Sequence, residues 1–164
     1  MSGAQRATSR GLARPCSRMR GVLGAALAAL AAFGASAAGA HSQPGTLGAS
    51  ASATDYHQVT CFDDGSGAPA SLVVSILDAS PGALPLVSVH VRRASSLATA
   101  SDDATADAVP SPDVAVNESG GAYDVLVAKS GSGAKFYTLE YHCTTAPDGG
   151  GVHTGSLLTT LQSQ

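Results

Sequence analysis

The sequence predicts an all-β fold: an antiparallel two-sheet sandwich, jelly-roll or Ig-like, of about seven short strands, preceded by a signal peptide. Three observations carry this. Short runs alternate apolar and polar side chains, clusters of Gly, Pro and Asp separate them, and two cysteines lie far apart downstream of an export leader. The period of two is that of a strand with one buried face, and no stretch repeats at helical spacing.

The leader comes first. Five of the nine basic residues are Arg6, Arg10, Arg14, Arg18 and Arg20, and no acid appears before Asp55. An uncharged Ala/Leu run from Val22 follows and ends in Ala35-Ser36-Ala37 and Ala38-Gly39-Ala40. A basic start, an apolar middle and a small-residue ending define a secretory signal peptide, here residues 1–40 with cleavage after Ala37 or Ala40. The run is too Ala-rich to hold a membrane, so no stable span is expected after cleavage. The remaining chain has four cations (Arg92, Arg93, Lys129, Lys135) and all twelve acids, a net charge of -8. Such a surface disfavours nucleic acid, whose recognition rests on neutralising phosphates.

Residues 41–54 are rich in Ser, Gly, Ala and Thr and read as a flexible lead-in to a sandwich domain over 55–164. Strands are expected at Tyr56–Phe62, Ser71–Asp78, Leu84–Arg92, Asp113–Val116, Ala122–Lys129, Ala134–Cys143 and Gly155–Leu161. Alternation turns Val87, Val89 and Val91 inward, with Tyr123, Val125 and Val127, and with Tyr137, Leu139, Tyr141 and Cys143. Ala94–Ser111 breaks the rhythm and reads as a long surface loop. Its Asp102, Asp103 and Asp107 suit a hard cation such as calcium by type, but their spacing matches no EF-hand series.

Cys61 and Cys143 are the only cysteines after the leader. In an oxidising compartment such a pair forms a disulfide, and closing so long a loop is worth about 4 kcal/mol in the chain-entropy model.

Catalytic signatures are missing: the chain has no H-E-x-x-H, G-x-S-x-G or P-loop. No catalytic residue is assigned, and the protein is expected not to be an enzyme and to need no cofactor. The outward residues Ser88, His90, Thr138, Glu140 and His142, or else the loop Ala94–Ser111, are the candidate surface, with His90, Glu140 and His142 the binding residues, for an unknown protein or small ligand. A secreted or periplasmic monomer is expected. Asn117-Glu118-Ser119 fits the N-glycosylation pattern.

Two resemblances add to this reading. The stretch G-A-Y-D-V-L-V, A-K-S-G-S-G-A-K-F and Y-T-L-E-Y, within residues 121–141, resembles the closing hairpin of bacterial pre-peptidase C-terminal domains. The likeness implies a non-catalytic accessory module of an exported protein. It spans about residues 71–143, with Ala83-Leu84-Pro85-Leu86-Val87 standing where that family carries a D-x-D-L-Y-like segment. Separately, Tyr137–Tyr141 followed by Asp148, His153, Gly155 and Ser156 is similar to the last strands of CopC-type periplasmic copper carriers. Under that alternative, cleavage after Ala40 would make His41 the mature N-terminus. His41, Asp148 and His153 would then bind Cu(II), for which an amine and imidazoles are good ligands. In place of that family's Asp-Gly-His, this chain sets Gly149–Val152 between Asp148 and His153.

Overall fold

A computed structural model describes residues 41–104 and 107–164. The signal peptide expected over residues 1–40 lies outside the described residues. Among the described residues the fold is all-β, with nine antiparallel strands and one short 3-10 turn, Pro147–Gly149. None of them forms a helix long and apolar enough to cross a membrane.

The strands are β1 (His41–Leu47), β2 (Asp55–Phe62), β3 (Ser71–Asp78), β4 (Val87–Arg93), β5 (Ser96–Asp102), β6 (Val114–Val116), β7 (Gly121–Lys129), β8 (Lys135–Thr144) and β9 (His153–Gln162). Their order is β5-β4-β7-β2-β9-β8-β3-β6, with β1 added on β8. Two long ladders make up this path, β5-β4-β7-β2-β9 and β6-β3-β8. They join through a two-residue step in which Cys143 and Thr144 pair with Thr154 and His153. The sheet curls until β5 approaches β6, so it nearly closes into a barrel.

The expected inward residues line the interior, and Leu72 and Ile76 of β3 join them. Val59, Leu72, Ile76, Val87, Val89, Val91, Tyr123, Val125, Val127 and Leu139 are all buried. Each aliphatic side chain so placed contributes about 1.5–3 kcal/mol relative to exposure. Cys61 on β2 and Cys143 on β8 are bonded, with Cα atoms 5.7 Å apart, so the disulfide links the two ladders through the core.

Two expectations are corrected. Residues 41–47 do not form part of a flexible lead-in: His41–Leu47 is strand β1, paired with β8 from His41↔Tyr141 to Leu47↔Lys135. Among the described residues the first strand therefore lies ahead of the expected domain boundary at 55. The physical reason lies in β8, whose open edge supplies the backbone partners that the Ser/Gly-rich sequence does not itself advertise. Gly45 on β1 lies against the Tyr137 ring, and a Cβ there would overlap it. The second correction concerns Ala94–Ser111, which is not one long loop. Ser96–Asp102 is strand β5, in a hairpin with β4 that turns at Ala94–Ser95. Its alternation is carried by small residues, Ala100 being buried and Thr99 and Ser101 exposed, so the apolar signal is weak.

Candidate functional site

The outward face of β5, β4, β7 and β2 carries a shallow groove of about 390 Å³. Strand register builds it in two rows. His90 pairs with Leu126, which pairs on its other side with Tyr56; alongside, Arg92 stands between Leu97 and Asp124. These six residues line the groove. Because each strand's alternate residues fill the core, this face receives the polar half of the pattern together with Leu97 and Leu126.

A fixed polar array crosses it. Tyr56 donates its hydroxyl proton to Asp124 Oδ1 at 2.5 Å, and Arg92 Nη2 donates to Asp124 Oδ2 at 3.0 Å. Those bonds, from Tyr56 first and Arg92 second, hold the Asp124 carboxyl below the usual carboxylate range. The hydrogen bond to Asp124 in turn raises the Tyr56 phenol. The Arg92 side chain is 62% exposed, and among the described residues it bonds only Asp124. Its remaining N–H donors face solvent, in a fork that suits a carboxylate or phosphate. His90 Nδ1 is 3.0 Å from Thr99 Oγ1, which orients the ring.

Of the three expected surface residues, His90 alone lies in this groove. Glu140 and His142 sit on β8 in the other ladder, so the structure does not bring the three together. Sequence reasoning missed Tyr56, Arg92, Leu97 and Asp124 as a group. Alternation placed Asp124 outward, but strand order is what sets it beside Arg92 and Tyr56.

Three of the five histidines, His41, His142 and His153, lie where β8 exchanges partners. Its one edge pairs with β1 up to Tyr141 and then with β9 from Cys143, leaving a fork between β1 and β9. His142 and His153 stack there, ring centroids 4.5 Å apart and 13° from parallel. His41 stands edge-on to Tyr141, and its Nδ1 is 2.7 Å from Ser156 Oγ. His142 Nδ1 is buried and has no hydrogen-bond partner among the described residues. Burial, and then His153 beside it, lower the His142 pKa against the pull of Asp113.

Of the copper set, His41 and His153 flank the fork. Asp148 does not join them: it is clasped by Asn117, whose Nδ2 donates to Asp148 Oδ1 at 2.7 Å while the Asp148 N–H donates to Asn117 Oδ1 at 2.8 Å. Among the described residues no three His, Cys, Asp or Glu side chains are grouped to hold a metal ion. Of the three carboxylates suggested for calcium, Asp102 is buried and accepts N–H bonds from Asp78 and Ala104.

No protein-family model matches the chain, and no curated protein or solved structure matches it.

Proposed function

We propose that the chain is a secreted or periplasmic, non-catalytic binding module, a two-sheet sandwich closed by the Cys61–Cys143 bridge, that takes its ligand in the groove on β5, β4, β7 and β2. The observation that carries this reading is the Tyr56–Asp124–Arg92 array beside exposed Leu97. A pre-fixed cation next to apolar surface suits a ligand with an apolar body and an anionic group, and orients it at little entropic cost. The absence of the familiar catalytic motifs from the sequence, and the engagement of Asp124 by Tyr56 and Arg92, favour binding over chemistry.

Titration of ¹⁵N-labelled protein with benzoate tests the groove. Saturable shifts at Leu97, Leu126 and Arg92, weaker with benzyl alcohol and lost in Arg92→Ala, are expected. No saturable shift with either probe would sink the groove, and hydrolytic activity of the purified protein would sink the non-catalytic reading. N-terminal sequencing of the exported protein tests the leader. A mature start at Ala38 or His41 supports export, and retention of Met1 overturns it.

A further inference from the structure

Lys135 opens β8 on the face it shares with Tyr137 and Leu139, a position where alternation calls for an apolar side chain. Its side chain is 2% exposed, and Nζ lies 2.7 Å from Asp78 Oδ2, whose side chain is fully buried at the end of the neighbouring strand β3. Burying two opposite charges costs desolvation that their attraction only partly offsets. Asp102 is buried against the same residue, its Oδ2 accepting the Asp78 N–H at 2.7 Å.

We propose that Lys135 and Asp78 condense into an intramolecular isopeptide bond. A proton crosses the existing hydrogen bond from Nζ to Oδ2, which leaves a neutral amine in contact with a neutral carboxylic acid. Nζ attacks Cγ, a C–N bond forms, and the Cγ–Oδ2 bond breaks. Oδ2 departs as water with the transferred proton and one further proton from Nζ. The ammonium and carboxylate thus become one amide and one water, with no oxidant, reductant or external proton. Held in contact by the fold, the two groups react as an intramolecular pair.

The surroundings already fit the product. Asp78 Oδ1 accepts the Ser80 N–H at 2.9 Å, which polarises the carbonyl and then serves the amide oxygen. Nζ also donates to Gly82 O at 2.8 Å, a bond the single remaining amide N–H can keep. The new link would fasten β8 to β3 at its first residue, while Cys143 fastens it to β2 near its last.

Intact mass spectrometry of the protein purified from expression of the full chain, reduced and denatured, tests this. The mass is expected to be one water below the sequence value for the observed N-terminus, with a branched proteolytic peptide joining Lys135 to Asp78. Asp78→Asn is expected to lose ammonia and reach the same final mass, and Lys135→Arg to keep its full mass. A wild-type protein at full sequence mass would overturn the proposal. So would a water loss that maps to Asp64-Gly65 or Asp148-Gly149 and reverses at mildly alkaline pH, or one that persists in Lys135→Arg. The branched peptide is read in the wild type, so the result does not depend on either variant folding.

Discussion

Tyr137 donates its hydroxyl proton to Asp55 Oδ2 at 2.6 Å, joining the third residue of β8 to the first residue of β2 inside the fold. His57 Nε2 lies 3.0 Å from the same hydroxyl oxygen, and His57 Nδ1 lies 3.0 Å from Thr160 Oγ1. With the Tyr137 proton committed to Asp55, Nε2 must carry the histidine's hydrogen and Nδ1 must accept from Thr160. Burial and the bond to Asp55 push the Tyr137 phenol well above its ordinary value. Removing the hydroxyl in Tyr137→Phe strands a carboxylate oxygen and a ring N–H in the interior. A loss of about 1–3 kcal/mol is expected, read as a lower urea midpoint at unchanged m-value.

Acid should loosen the fold through two histidines. Burial lowers the pKa of His57, opposed by Asp55, and burial lowers that of His142 ahead of its neighbour His153. Above the unfolded value near 6.5 both rings are neutral in either state, and their contribution is fully present. As pH falls below that value the unfolded chain binds protons that the folded one resists, so stability declines. Urea midpoints are expected to fall as pH is lowered from about 7 to 5, and less steeply in His57→Gln.

The disulfide should matter to stability more than any single contact. Cys61→Ser with Cys143→Ser is expected to cost about 2–5 kcal/mol, with a lower thermal midpoint as the measurement. A midpoint unchanged by the double substitution would contradict a bridge that constrains the unfolded chain.

Gly45→Ala sets a methyl group against the Tyr137 ring. A loss of about 1–3 kcal/mol from overpacking is expected. Hydrogen exchange should quicken first in residues 41–47, because β1 has β8 as its only strand partner among the described residues.

Arg92→Ala should separate binding from stability. The Arg92–Asp124 pair is exposed, and such pairs contribute about 0–1 kcal/mol. The thermal midpoint is expected to stay nearly constant while the benzoate response disappears.

The sequence disclosed most where large side chains alternate. Val125 and Val127 with Tyr123, and Leu139 between Tyr137 and Tyr141, mark β7 and β8 and their inward faces without any partner in view. Cys61 and Cys143 announced their own bridge. The strands that stayed hidden, β1 and β5, are built largely from Gly, Pro, Ser, Thr and Ala, whose pairing is decided by a neighbour's open edge and not by their own hydrophobicity. The groove stayed hidden for a related reason. Alternation sets the face on which Arg92, Asp124 and Tyr56 lie, but only strand order places them side by side. Lys135 is the sharpest case: its inward parity was legible, whereas the acid that meets it, Asp78, ends a different strand.

The fork at β8 also has a consequence for the time order of folding. β8 pairs along one edge with both β1 and β9, so the earliest described strand has no partner until residues 135–141 exist. β2 likewise waits for β7 and β9. A chain emerging N-terminus first cannot complete its structure piece by piece, and pairings this distant along the sequence fold slowly, in about milliseconds to seconds. Among the described strands, the first in the sequence is therefore secured only once β8 has been made.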